Sequence, residues 1–355
     1  CNITHTGTPE DFIPHYGKNG RFLKHALYEF PPKRLVSFFE ERGVTFLIRE
    51  DGKVFPESFK AKEILQVLLS ELKKHNREIK CKSPVKAIYK TEDCFIIETD
   101  AEKYYTTSVV ISTGGITWPQ TGSTGDGQKY AETLGHTIIS MKQALSGIHI
   151  KNFTLIKHAG VTIKNAIVSL LRNNKKVTHH AGDLLITHSG FSGPVILDNS
   201  RYWSKDNELS ISFLPKDSDE VYDTLKNETV RNPKKQIKNI ISSLELPLTL
   251  VETILSFENI DLSMKSNQIK DTQIRKLVET LQNYRVKIDE FDSIDKAMVT
   301  SGGVSLKEVH SKTMMSKVAP GLYFAGEVLD VDGDTGGYNL QAAFSTGYVA
   351  GKRVF

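Results

Sequence analysis

The sequence predicts an α/β fold interrupted by an inserted β-barrel-like domain and a helical segment. One observation is an apolar run, Ser108-Val-Val-Ile-Ser112, that stops abruptly in Thr113-Gly-Gly115. A buried parallel strand reads this way where its carboxyl end meets a ligand. A second apolar run, Leu322 to Ala325, ends at Gly326-Glu327 and leads to Gly336-Gly337 and a helix-like stretch carrying Ala343, Gly347, Ala350 and Gly351. Between them, from residue 140 to 290, the pattern changes first to short β-like segments and then to polar helical ones. The two ends of the chain share one character and the middle another, which is how an insertion into an α/β domain reads.

Taken in order, residues 21–42 carry a helical apolar pattern broken by Pro31 and Pro32, because proline has no N–H to donate and clashes with the preceding turn. Val44 to Ile48 reads as a strand, and Asp51-Gly52 as a turn into Val54-Phe-Pro56. Ile64, Leu65, Val67, Leu68, Leu69 and Leu72 then give an amphipathic helix. Val85 to Tyr89, Cys94 to Thr99 and Tyr104 to Ser112 are strand-like, the first two close enough for an antiparallel meander. The expected α/β parts are 1–139 and 291–355, with a β-barrel-like domain over 140–216 and helices over 217–290. Within the helical part, Ile237 to Leu246 and Leu248 to Phe257 are the clearest helices, and Arg285 to Asp289 reads as a return strand.

Of the 355 residues, 39% are hydrophobic and 25% charged, the balance of a soluble globular chain. No run approaches the roughly 18–20 apolar residues that cross a bilayer, and no secretory signal is visible. Cys1, Cys81 and Cys94 are too few and too scattered for a disulfide framework or a zinc cluster, so a cytoplasmic protein without a metal centre is expected. The net charge is +4, but the basic residues are dispersed. A solvated surface, and neither a nucleic-acid partner nor a membrane, is the expectation.

The sharpest chemical signal is Gly321-Leu-Tyr-Phe-Ala-Gly-Glu327 followed by Gly336-Gly-Tyr-Asn-Leu-Gln341. Gly326 allows backbone close to a ligand, and Glu327 stands where a carboxylate accepts hydrogen bonds from ribityl hydroxyls. The helix after Gly336 and Gly337 offers unpaired N–H groups and a positive dipole end at Tyr338, Asn339 and Leu340, with Gln341 completing the turn. Aimed at the N1–C2=O edge of an isoalloxazine, such an end stabilises the negative charge of reduced flavin. Non-covalently bound FAD is therefore the expected cofactor.

With these blocks in place, the chain resembles a bacterial flavoprotein family that includes aminoacetone oxidase-like enzymes and proposed 3-dehydro-bile-acid reductases. The resemblance extends over nearly the whole chain through Cys1-Asn-Ile-Thr4, Asp51-Gly-Lys-Val-Phe-Pro56, Gly122-Ser-Thr-Gly-Asp-Gly127, Thr187-His-Ser-Gly-Phe-Ser-Gly-Pro194 and Thr300-Ser-Gly-Gly-Val304. It implies an FAD-binding Rossmann-like domain whose dinucleotide fingerprint lies upstream of the loop in which this chain opens. An upstream strand, glycine-rich turn and helix of roughly 40–50 residues is expected on that ground. The resemblance also implies that Cys1 and Asn2 lie beside the flavin, that Thr113, Gly114 and Gly115 approach it, and that the backbone of Val85 meets the adenine. Lys53 stands where members usually carry Arg, a point charge in place of a bidentate fork.

Gly122-x-x-Gly-x-Gly127 does not follow a buried strand, so it is not read as a second nucleotide site. NAD(P)H remains a possible electron donor with no dedicated domain. In Thr187-His-Ser-Gly-Phe-Ser-Gly-Pro194, Ser192 is the expected N-cap of a following helix. His188 is the candidate for proton exchange with a substrate, since histidine ordinarily titrates near neutrality. The expected reaction is hydride transfer between flavin N5 and a small organic substrate, an amine or a ketone or enone. Two alternatives are a flavin-binding RNA-modification protein and a non-catalytic flavoprotein.

Overall fold

The computed structural model describes residues 2–354, so Cys1 lies outside the described residues. The chain divides into two units, residues 1–144 with 294–355, and residues 145–293. The insertion begins at 145 because Ile138–Ala144 pairs antiparallel with Val299–Val304 and so belongs to the outer unit.

In the outer unit, helix Gly20–Glu29 buries Leu23, Ala26 and Leu27 and ends two residues before Pro31, with Phe30 as its C-cap. Helix Pro32–Glu40 starts afresh with proline at its first position, where the missing N–H costs nothing. The two apolar runs pair in parallel, Val109–Ile111 against Leu322–Phe324. Phe324 also donates its N–H to the Met314 carbonyl on the other side. Val109 and Ile111 are buried, but Val110 remains exposed. The run is thus covered on one face only among the described residues, not on both as its composition suggests.

Val85–Lys90, Phe95–Thr99 and Lys103–Thr106 form the antiparallel meander. The segment read as Tyr104 to Ser112 is two strands. The Thr106 hydroxyl bonds both the N–H and the carbonyl of Ser108, and this local turn competes with continuing the strand.

In the inner unit, Thr162–Arg172 pairs with His180–Ile186 on one side and Glu208–Ser212 on the other. The remaining pairings run through Gly190–Ser192, Ile148–Ile150 and Tyr284–Phe291, closing a barrel of six strands. Closure removes the exposed edges. Tyr284–Phe291, expected as a return strand, is thus a barrel stave. Helices Ser218–Arg231, Ile237–Ser242, Leu248–Phe257 and Asp271–Gln282 bury Val221, Ile240, Leu250 and Leu277 in the same core as Phe191 and Ile211. The Ile237 helix stops short of Leu246, where Glu245 takes φ +66° before Pro247.

One local expectation is corrected. Helix Pro194–Ser200 is not capped by Ser192. Its N-cap is Gly193, at φ +89° and with no side-chain cap bond. A Cβ there would lie 2.6 Å from the Asp183 carbonyl oxygen and 2.8 Å from the Leu185 nitrogen, so the close approach of helix to strand selects glycine. Replacing Ser192 with Ala is expected to change unfolding free energy by less than about 0.5 kcal/mol, against about 1 for a true cap. Gly193→Ala is expected to cost about 1–3 kcal/mol. Denaturant titration of both variants checks this, and the reverse order would restore Ser192 as the cap.

Candidate functional site

Three segments far apart in sequence meet where the two parallel strands end. Beyond Ile111 the chain turns through Gly114 at φ +76°, whose carbonyl accepts from Gln128 Nε2 at 3.0 Å. Gly115 then passes so close to the next segment that a Cβ would sit 2.0 Å from Thr300 Oγ1 and 2.6 Å from Glu327 Oε1. Only glycine fits there, and the reason is proximity alone. Ile116 donates its N–H to Thr300 Oγ1 at 2.8 Å, and Thr300 in turn donates its N–H to Glu327 Oε1 at 2.7 Å. Thr113 is exposed at the mouth of this turn.

Glu327 follows Gly326, which takes φ +75° and anchors its N–H on Thr346 Oγ1 at 2.9 Å. Burial pushes the Glu327 carboxyl above the usual carboxylate range, opposed by its bonds to Thr300 and Thr117, with the nearby Asp332 charge adding to the rise. Burial likewise raises Asp330. Only Oε1 of Glu327 carries protein hydrogen bonds among the described residues.

Gly336 and Gly337 take φ +121° and +101° and deliver the chain into helix Tyr338–Arg353, which has no side-chain cap and no acid in its first turn. Gln341 donates its N–H to the Gly337 carbonyl, whereas the backbone N–H groups of Asn339 and Leu340 have no protein acceptor among the described residues. A Cβ on Gly337 would lie 2.6 Å from the Thr4 carbonyl and 2.7 Å from Asn2 Nδ2. The structure thus brings Asn2 against the Gly-Gly turn. Lys53, whose Nζ meets Asp51 at 2.8 Å, approaches Gly336 through its side-chain carbons.

Several nominated side chains have other partners. Gln341 is fully buried. It accepts from Thr4 Oγ1 at 2.7 Å and donates to the Phe30 carbonyl and to Ser345 Oγ at 2.9 Å each. Asn339 clamps the preceding loop, bonding the Gly333 N–H at 2.7 Å and the Gly333 carbonyl at 2.9 Å. Tyr338 is stacked between His15, at 3.9 Å between ring centroids, and His5, at 5.4 Å. These three therefore hold the helix end in place by their side chains and leave the Asn339 and Leu340 N–H groups without a protein acceptor among the described residues. Leu340 is half-exposed.

Val85 lies on the meander, its carbonyl accepting from the Tyr130 hydroxyl, and lines an open groove of about 1080 Å³ with Lys86, Lys90 and Lys129. His188 is in the inner unit, exposed on the bend between His180–Ile186 and Gly190–Ser192, and makes no hydrogen bond among the described residues. Two bracing residues were missed in the sequence. Thr300 was read only as part of a motif, and His15 grips Asp334 through both its ring, at 2.9 Å, and its carbonyl, at 3.0 Å. Trp118, exposed and held at φ +55°, is also unusual, because a bulky residue in that region is strained.

These features fit a flavin. The open N–H donors of Asn339 and Leu340 suit the pyrimidine edge of the ring, and the second oxygen of Glu327 suits a ribityl hydroxyl. Gln128 adds a buried Oε1 with no protein partner. The fold and this site define an FAD-binding α/β flavoprotein. The chain belongs to the family described as HI0933-like protein Rossmann domain, which matches residues 1–353. It is similar to the 3-dehydro-bile acid delta(4,6)-reductase of Clostridium scindens, 28% identical over 359 residues, covering 99% of this chain and 87% of that protein. It is also similar to the ribosomal RNA dihydrouridine synthases of Escherichia coli and Haemophilus influenzae. The first is 31% identical over 99% of this chain and 86% of the relative, and the second 29% identical over 98% and 85%.

Two outcomes are expected at this site. Gly337→Val forces the helix end away from Thr4, so FAD affinity is expected to fall, and the midpoint potential of flavin still bound to become more negative by the equivalent of about 1 kcal/mol. Lys352→Ala, which removes only an exposed pair with Glu29 at the far end of the helix, is expected to do neither. Spectroelectrochemistry of both variants decides, and an unchanged potential with unchanged affinity at Gly337 would remove the helix from the flavin site.

The second outcome concerns pH. A carboxyl whose folded pKa lies above its ordinary 4.5 binds more protons folded than unfolded over the window between the two values, and stability is lost as pH rises through it. Glu327→Gln keeps an oxygen for the Thr300 N–H but cannot ionise. Its stability relative to wild type is therefore expected to climb as pH rises above 4.5 and then level off. Urea titrations from pH 4 to pH 8 measure this. A difference independent of pH would mean the carboxyl is not held out of its usual range.

Proposed function

We propose that the protein is a flavin-dependent reductase that saturates a C=C bond conjugated to a carbonyl. The observation that carries the proposal is the uncapped helix end at Gly337, whose open N–H donors and positive dipole favour negative charge beside them. When bound and reduced, FAD supplies a hydride from N5. The chain's contribution is to orient the ring through the Asn339 and Leu340 N–H groups and Glu327, and to provide a proton. His188, exposed and without a protein hydrogen bond, is the candidate donor. The names of the relatives support reduction over amine oxidation. A delta(4,6)-reductase and a dihydrouridine synthase are both named for an activity that turns a C=C bond into a C–C single bond.

Replacing His188 with Asn is expected to leave flavin content and absorbance unchanged while slowing reoxidation of the reduced enzyme by a conjugated enone at least about 100-fold, the lower end of general-acid effects. Stopped-flow absorbance with a panel of cyclic enones, and with amines as the opposing arm, is the measurement. Reduction of the flavin by amines with no reaction toward enones would overturn the reductase reading. Loss of flavin together with rate would make His188 structural.

A second reading takes uridine in RNA as the substrate, because two of the relatives carry that activity in their names and the chain has a net charge of +4. Mapping dihydrouridine in ribosomal RNA from cells with and without the gene separates the two readings.

A further inference from the structure

Several surface lysines of the outer unit are matched by carboxylates, as in Lys53 with Asp51, Lys80 with Glu102, Lys86 with Asp100 and Lys103 with Glu98. One cavity is different. A groove of about 680 Å³ between helix Gly20–Glu29 and the 306–317 hairpin is rimmed by Arg21, His310, Lys312 and Lys317, and no acidic residue lines it. All four side chains are exposed, and none makes an ion pair among the described residues. Lys317 donates only to the Lys307 carbonyl. The floor is apolar, with Phe22 and Met315 half-buried along it.

Arg21, Lys312 and Lys317, cations without carboxylate partners around an apolar, partly aromatic floor, match a chain that carries phosphates on one side and flat bases on the other. We infer that this groove binds the sugar-phosphate backbone of single-stranded RNA, an inference that rests on the RNA reading above. A free nicotinamide dinucleotide fits it less well. The groove offers no carboxylate for a ribose diol and no glycine-rich turn for a diphosphate, whereas RNA asks only for side-chain cations and a stacking surface. The site lies wholly within the outer unit, so an RNA strand held here is bound by the same unit that carries the flavin site.

The test compares the flavin-loaded protein with an Arg21→Gln/Lys312→Gln/Lys317→Gln variant. Fluorescence anisotropy with a labelled mixed-sequence RNA of about 20 nucleotides, longer than a typical single-strand footprint, is read across a salt series. The variant is expected to bind at least tenfold more weakly, with the slope of log affinity against log salt smaller by about 2, near 0.7 for each lost phosphate contact. Flavin content, melting temperature and the rate of flavin reduction by NADPH are expected to stay unchanged. RNA binding by wild type that the variant retains in full would place the RNA surface elsewhere and overturn the groove while sparing the RNA reading. No salt-dependent binding by wild type would overturn the RNA reading and the groove with it. A loss of NADPH-driven reduction with RNA binding intact would give the groove to the dinucleotide instead.

Discussion

The outer unit depends on one relay. Glu327 Oε1 accepts from the Thr300 N–H, and Thr300 Oγ1 accepts from the Ile116 N–H. This ties together a strand end near residue 115, a strand near 300 and a strand end near 327, which share no local sequence. Thr300 is fully buried, so each of these bonds satisfies a group that would otherwise be desolvated without a partner. Gly115 is the steric condition for the relay, since any Cβ would occupy the space of the Thr300 hydroxyl. With the relay formed, the parallel pair Val109–Ile111 and Leu322–Phe324 ends in a single cleft.

The second constraint is a division of labour on helix Tyr338–Arg353. Its side chains near the N-terminus face inward to protein partners, Gln341 to Thr4 and Phe30, Asn339 to Gly333, and Tyr338 to two histidines. The N–H groups of Asn339 and Leu340 in the same turn have no protein acceptor among the described residues. A conventional Ser or Asp cap would consume those donors. Glycine at the cap position does not, and it also admits the Thr4 backbone. The helix end is thus rigidly held yet chemically unfilled, which is what preorganised electrostatic stabilisation requires.

Much of this was legible in the sequence because it is written locally. An apolar strand, a small residue, a carboxylate and a Gly-Gly pair before a helix lie within thirty residues of one another, between Leu322 and Gly351. The meander and the helices flanking Pro31 and Pro32 were legible for the same reason. What escaped depends on distance along the chain. Gln341 reads as part of a ligand turn, and only the fold shows that it bonds Thr4, 337 positions away. Ser192 has the chemistry of a cap, but the strand passing beside Gly193 decides the geometry. Barrel closure through Thr162–Arg172 and Glu208–Ser212 is a pairing that periodicity alone cannot specify.

The electrostatics of the cleft run against its own stability. Glu327, Asp330, Asp332 and Asp334 crowd into one loop, and the Asp332 charge raises both Glu327 and Asp330 beyond what burial alone does. His15 on Asp334 and Lys18 and Asn19 near Asp330 oppose this charge. A sequence selected for stability alone would replace Glu327 with a neutral residue that keeps the Thr300 bond. The retained carboxylate, with one oxygen bonded inward and the other unclaimed, makes sense if a ligand hydroxyl completes it. Bound ligand then supplies to Glu327 the hydrogen bonds that water supplies to an exposed acid, so cofactor binding and the ionisation of this carboxyl are linked in one equilibrium.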